Sequence, residues 1–297
     1  MTIVPIIKRD YIIKLAEQGK RIDGRDFVNY RKIEIETNVV NKAEGSARVK
    51  IGNTQVLCGI KMGIGEPFPD TPTTGVMSTA AEFVPMASPD FESGPPREDA
   101  IELARVVDRG VRESQVIQLE KLCITPGEKV WLVFIDIHIL DYDGNLFDAA
   151  SLAALAALLT TKVPVSRFLK DLNERDRDSW QERLLELYTI PGIDEVAFGT
   201  DVANKNPIED FPLPMIEPPV SCTAVKINDF ILFDPCFDEE IIADVRLTVA
   251  TDHNGDIRAM QKGLSGSFSR EEIQKVIKGA LDNGQEIRKI LSHSIGK

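Results

Sequence analysis

The chain has 297 residues, 43% of them hydrophobic and 28% charged. This ordinary globular balance excludes wholesale disorder and implies two domains or one fold built from two halves. Lys plus Arg number 35 against 47 Asp plus Glu, a formal charge of −12, which excludes a general phosphate-backbone binder because sequence-independent nucleic-acid affinity comes from cations displacing counterions.

The N-terminal apolar residues are interrupted by Lys8, Arg9, Asp10 and Lys14, which makes no signal-peptide core. No stretch reaches the roughly 18 apolar residues of a membrane span. Cys58, Cys123, Cys222 and Cys236 form no C-x-x-C pair, which argues against a short-motif zinc site and a disulfide scaffold and fits reduced thiols in a cytoplasmic protein.

Residues 5 to 18 carry Ile6, Ile7, Tyr11, Ile12 and Leu15 at near-helical spacing before Gly19, predicting a short helix in a lead-in segment over 1–26. From 27 to about 86 the period becomes two, with Ile33 and Ile35, then Ala47, Val49 and Ile51, then 56 to 62, then 76 to 84: a run of strands. Residues 97 to 117 place Ile101, Ala104, Val107 and Val111 on one side and charges on the other, an amphipathic helix. Residues 129 to 140 are almost wholly apolar and read as a buried strand. The Ala- and Leu-rich stretch 146 to 161 reads as a helix apolar nearly all round, to be covered on most faces.

Residues 166 to 206 are polar, helical in composition and followed by Pro207, Pro212, Pro214, Pro218 and Pro219, the pattern of an insertion plus extended linker. Strands resume at 222 to 227, 230 to 233, 244 to 250 and 257 to 262. A last helix runs from 270 to about 291, with Ser269 as N-cap and Glu272 three residues on. The element order predicts an α+β layered fold whose two halves, about 27–165 and 207–297, form one domain.

Arg105, Arg109 and Arg112 stand at i, i+4 and i+7, within about 60° of one helix face. Glu102 to Arg105, Asp108 to Arg112 and Arg109 to Glu113 have salt-bridge spacing, so spacing alone reads as a self-paired solvated face. Arg97 follows two prolines and reads as a loop anchor. Asp234 to Glu240, turned by Pro235, reads as a solvated acidic turn. His138 alternates with apolar neighbours, as a core or interface histidine does. No Ser-His-Asp, Cys-His, Walker or GxGxxG arrangement is present.

Three motifs occur in order: Arg21-Ile22-Asp23-Gly24-Arg25, Gly45-Ser46-Ala47 entering a strand, and Glu102-Leu103-Ala104-Arg105-Val106-Val107-Asp108-Arg109 in a helix. Together they resemble an RNase PH-type subunit of the archaeal exosome, over nearly all of the chain except 166 to 206. The resemblance implies an RNase PH-like fold of two βα halves of mixed strands layered with helices. It also implies a hexameric ring in which a catalytic RNase PH-like partner degrades single-stranded RNA from its 3′ end by phosphorolysis, with RNA-binding cap proteins and no cofactor.

Within that family the chain resembles the catalytically silent subunit. Active members carry a Gly, Ser or Thr, then Arg loop before the Ala-rich helix, where amides, hydroxyls and a guanidinium hold phosphate. Here residues 141 to 151 lack that hydroxyl and arginine. Asp141, Asp143 and Asp148 stand where an anion would sit, at about 4 kcal/mol for like charges roughly 4 Å apart in an effective dielectric near 20. Of two family aspartates Asp234 is retained, Glu240 replaces the second and Asp244 follows, a vestigial acidic cluster without a metal.

The positions matching Arg105 and Arg109 in the silent subunit face the RNA path, a role that suits the bidentate guanidinium fork. Arg112 and Arg97 are further candidates. The resemblance thus implies a non-catalytic, RNA-guiding ring subunit. The alternatives are an active 3′ to 5′ phosphorolytic exoribonuclease using Asp234, Glu240 and a metal, and a structural ring module whose arginines are wholly neutralised. The apolar strand 129 to 140 and the Ala-rich helix are expected to need a partner's cover.

Overall fold

The computed structural model describes residues 3–168, 172, 175, 176, 180 and 210–296. Apart from 166–168, 172, 175, 176 and 180, the expected insertion at 166–206 lies outside the described residues.

Helix α1 (Ile3–Glu17) stops before Gly19, whose φ of +70° only glycine takes readily. The strands then follow as β1 (Ile33–Thr37), β2 (Gly45–Ile51), β3 (Thr54–Gly65), β4 (Val76–Phe83), β5 (Cys123–Thr125) and β6 (Lys129–Asp141). They form one sheet in the order β1-β2-β3-β6-β4, with β5 beside β6. All neighbours pair antiparallel except β4, which runs parallel to β6. The period of two is visible in β3, where Thr54, Val56, Cys58, Ile60 and Met62 are buried and the residues between them are half-exposed.

The same alternation corrects the reading of β6. Val133, Ile135, Ile137 and Ile139 face the core, but Leu132, Asp136 and His138 are only partly covered and Phe134 is 38% exposed. An apolar run looks the same in sequence whether one face or two are covered. His138 is therefore no core residue: it lies on the outer face with Nδ1 3.4 Å from Glu82.

Helix α2 (Glu98–Arg112) packs on β4. It ends five residues short of the expected 117, because Gln115 turns to φ +55° and the chain continues into a single 3-10 turn, Leu119–Leu122. Helix α3 (Leu146–Leu159) is buried at every residue from Leu146 to Leu158. It lies between the first sheet, on β2 and β3, and the strand Val220–Ile227 of a second sheet. The chain covers this helix itself, so its apolar surface is no argument for a partner; the exposed face of β6 is what remains.

Strands β7 (Lys162–Val163) and β8 (Phe211–Pro212) pair antiparallel. The second sheet has β9 (Val220–Ile227), β10 (Phe230–Phe233), β11 (Val245–Thr251) and β12 (Ile257–Gly263) in the order β10-β9-β11-β12. The C-terminal helix Arg270–Ser294 packs over β9 and β11, its start fixed by the Ser269–Glu272 capping box.

One apolar core joins both halves, with Val49, Ile135, Leu155, Val220, Val249 and Ile287 in a single cluster, each full burial contributing about 1.5–3 kcal/mol. Gly45 belongs to this packing, since any Cβ there would collide with the Thr161 side chain and the Ala157 carbonyl at the end of α3. The α+β layering expected from the element order is present. Among the described residues no helix is long and apolar enough to cross a membrane.

Candidate nucleic-acid interface and acidic centre

The chain between α1 and β1 crosses the end of β10, and three arginines fasten it there. Arg21 is fully buried against Glu239, Nε to Oε1 at 2.9 Å, and donates to the carbonyls of Phe233 and Asp234. Arg31 grips Asp234 through Nη2 at 2.8 Å, Nε at 2.9 Å and its backbone N–H at 2.8 Å. Arg25 Nη1 and Asn145 Nδ2 complete the set at 2.9 and 2.8 Å. Burial alone would raise the Asp234 carboxyl, yet hydrogen bonds and charge from Arg31 hold it below the ordinary carboxylate range. The expected solvated acidic turn is instead a buried, saturated ion cluster.

Glu240 closes the start of α3. Its Oε2 accepts the Asn145 backbone N–H at 2.9 Å and the Tyr142 hydroxyl at 3.2 Å, and its Oε1 lies 4.0 Å from Arg246. Burial pushes its carboxyl up, while the Asn145 N–H and Arg246 pull it down. An amide at the head of a helix and a nearby guanidinium are what an incoming anion would need, and here the chain's own carboxylate occupies them. Asp244 takes no part: it accepts from Arg9 at 2.9 and 3.1 Å and from the Asn228 backbone at 2.8 Å. The sequence cluster of Asp234, Glu240 and Asp244 thus separates into three different environments. Among the described residues no group of three or more His, Cys, Asp or Glu side chains could hold a metal ion.

The loop before α3 is fixed by Gly144 at φ +88°. A Cβ there would meet the Pro235 carbonyl oxygen and the Cys236 carbonyl carbon at 2.5 Å, so only glycine lets the loop lie against the strand end. Asp143 donates nothing to an anion pocket; it accepts from Asn53 at 3.0 Å and stands 3.8 Å from Arg31. Asp148 corrects the expectation that it faces an anion, for it points into the interior. There it accepts from Tyr30 Oη at 2.7 Å, Asn145 Nδ2 at 2.9 Å, and the Thr223 N–H and hydroxyl at 2.9 and 2.7 Å.

Burial pushes the Asp148 carboxyl up to about 6, against the hydrogen bonds from Tyr30, Asn145 and Thr223. A raised acid makes the folded state the better proton binder between about pH 4 and 6. Its contribution is therefore complete below the ordinary carboxylate value and lost as pH rises through 6, an effect on the order of 3 kcal/mol at about 1.4 kcal/mol per pKa unit. Urea unfolding of wild type and Asp148→Asn across this range should show the variant gaining relative stability as pH rises. A pH-independent difference contradicts this.

On α2, Arg105, Arg109 and Arg112 are all exposed, but their partners differ from those that spacing predicts. Only Asp108 to Arg112 forms, at 2.8 Å, and Arg112 also donates to the Met77 carbonyl at 3.0 Å, which ties it to β4. Glu102 binds Arg246 instead of Arg105, at 2.6 Å, and Arg109 reaches Gln261 on β12. Arg105 makes no hydrogen bond or ion pair among the described residues. Arg97 pairs with Glu92 in the preceding loop.

Arg105 and Arg109 form a ridge between two open grooves, one of about 590 Å³ against Thr79 and Ala80 of β4, the other of about 320 Å³ against Gln261. Both grooves also carry acids, Asp108 and Glu113 in the first and Glu98 and Glu102 in the second.

Sequence reasoning missed Arg31, Asn145, Tyr142 and Glu239. Arg21 and Arg25 were visible only as part of a motif, without their buried partners.

Residues 29–164 match domain 1 of the 3′ exoribonuclease family, RNase PH, and residues 217–283 match its domain 2. The chain is 50% identical over 290 residues to exosome complex component Rrp42 of Thermococcus gammatolerans, covering 98% of this chain and 96% of that protein. It is likewise 50% identical over 289 residues to the Rrp42 component of Methanocella arvoryzae, covering 97% of each. Among solved structures it is similar to a chain of the Archaeoglobus fulgidus exosome with RNA bound to the active site, with a TM-score of 0.82, 44% identity, and 97% and 99% of the two chains covered. The chain therefore belongs to the 3′ exoribonuclease family, carrying both of its domains, among the archaeal exosome core components.

Proposed function

We propose that this chain is a non-catalytic ring subunit of an exosome core, which scaffolds a catalytic RNase PH-like partner in a hexamer and guides single-stranded RNA toward that partner's phosphorolytic site. The observation that carries this reading is the Glu240 carboxylate on the amide at the head of α3, with Asp234 saturated beside it. Inorganic phosphate as a nucleophile has no vacant seat there, and a second anion would meet Glu240 at close range. Asp234, Glu240 and Asp244 are in this reading structural residues.

RNA is met at Arg105 and Arg109, which leave the ridge on α2 only partly neutralised; a purely structural module would have both paired to acids. Arg112 and Arg97, already engaged, contribute less. The ring lies in the cytoplasm beneath RNA-binding cap proteins, and the two halves at 27–165 and 207–297 act in it as one domain.

The purified chain, given RNA, phosphate and Mg²⁺, should release no nucleoside diphosphates, and chromatography of the products checks this. Release that depends on phosphate and is abolished by Glu240→Gln overturns the reading.

A further inference from the structure

The chain contains two Asn-Gly steps, Asn254-Gly255 and Asn283-Gly284. Glycine has no Cβ to shield its backbone nitrogen, so that nitrogen attacks the preceding carboxamide wherever the local fold lets the two groups meet. The fold treats the two steps in opposite ways.

Asn283 and Gly284 lie well inside the C-terminal helix Arg270–Ser294, and Gly284 is buried. The Gly284 N–H is spent there on the helical hydrogen-bond ladder. A Cβ on Gly284 would come within 3.0 Å of Thr251 Oγ1, and the Asn283 amide donates to the Val28 carbonyl at 3.2 Å.

Asn254 and Gly255 form the tip of the β11–β12 hairpin, where Asn254 is exposed and Gly255 takes φ +86°. Their neighbours are engaged. Asp252 Oδ1 accepts the Asn254 and Asp256 N–H groups at 2.9 Å, its Oδ2 accepts from Arg258 Nε at 2.8 Å, and His253 Nδ1 stands 2.8 Å from Glu217. The Asn254 carboxamide itself makes no hydrogen bond among the described residues. The Gly255 N–H has one partner, the Asp252 carbonyl at 3.2 Å, and an exposed hairpin tip opens at far lower free energy than a packed helix.

We propose that Asn254 is a site of intramolecular deamidation, passing through a succinimide to aspartate and isoaspartate. The Gly255 nitrogen bonds to Asn254 Cγ and gives up its proton, and the side-chain nitrogen leaves as ammonia. Water then opens the ring at either carbonyl; no electrons are exchanged and water is the only co-reactant. Both products put a new carboxylate beside Asp252 and Asp256. Isoaspartate also adds a methylene to the main chain between the two N–H groups that Asp252 Oδ1 holds. The change loosens the tip of β12, the strand that carries Gln261, to which Arg109 donates. The inference stands apart from the questions of catalysis and of RNA binding.

Storage of folded and of urea-unfolded protein at neutral pH tests it, with peptides scored by mass spectrometry for conversion and by enzymatic carboxyl methylation for isoaspartate. Each step's rate in the folded chain is divided by its rate in the unfolded chain, which cancels the effect of flanking sequence. The ratio for Asn254 should exceed that for Asn283 by about tenfold or more. Asn254→Gln, whose longer side chain closes a ring more slowly, should leave the hairpin peptide unconverted. Equal ratios at the two steps, a folded chain in which Asn254 stays intact, or full conversion of the hairpin peptide in Asn254→Gln overturns the proposal.

Discussion

Replacing Arg21 by alanine is expected to cost about 3–5 kcal/mol of folding stability, the range for breaking a buried ion pair from one side. The Arg21 and Glu239 side chains are both without solvent exposure. Alanine would strand the Glu239 carboxylate, take the Arg21 donor from the Phe233 carbonyl and leave the Asp234 carbonyl with Arg25 alone. The damage should spread, because Glu239 also accepts the Cys236 N–H and so holds the turn that presents Glu240 to α3. Urea unfolding measures the loss against Arg105→Ala, an exposed change expected to stay within about 0.5 kcal/mol. Similar losses for the two variants would mean that the clasp between the N-terminal segment and β10 does not hold the second half in place.

Changing Arg105 and Arg109 together to glutamate is expected to weaken RNA binding by the assembled ring by at least tenfold. Charge-assisted hydrogen bonds contribute about 1.5–3 kcal/mol each, and a chain of net charge −12 has few other places to meet phosphate. Loss of two phosphate contacts should lower the slope of log K against log salt by about 0.7 per contact for a single strand, so the defect shrinks as salt rises. It should be similar for unrelated RNA sequences, because phosphate carries no base information. Filter binding at several salt concentrations, with ring integrity checked by size exclusion, gives the answer. Intact mutant rings with wild-type affinity at low salt would reduce the ridge to a solvated helix face.

The layered fold was legible in the chain because its two periodicities are undiluted. The alternation through β3 and the unbroken apolar stretch of α3 admit one reading each. The second face of β6 was misread because apolar side chains there include Phe134 and Leu132, which the sheet leaves partly exposed. The early end of α2 was not legible, since nothing in Gln115 announces a left-handed backbone.

The site was legible by motif and not by contact. Arg21 and Glu239 are 218 positions apart, and Asn145 and Asp234 are 89 apart; local spacing carries no information about such pairs. Asp148 looks like a dipole-favoured residue in the first turn of a helix, and only the fold shows that β9 covers it. The arginine stripe was visible as geometry, but its pairing was not. Glu102 is drawn away to Arg246 across 144 positions, and that exchange is what frees Arg105.

The claim that the acidic centre of this chain is closed is tested most directly by rings reconstituted from the catalytic partner and either wild-type chain or Glu240→Gln. Glutamine keeps an oxygen for the Asn145 N–H but removes the carboxylate charge. Nucleoside diphosphate release at the wild-type rate is the predicted result. A loss of about 100-fold, the scale of a removed acid–base group, from rings that remain intact would place catalysis in this chain and contradict the account.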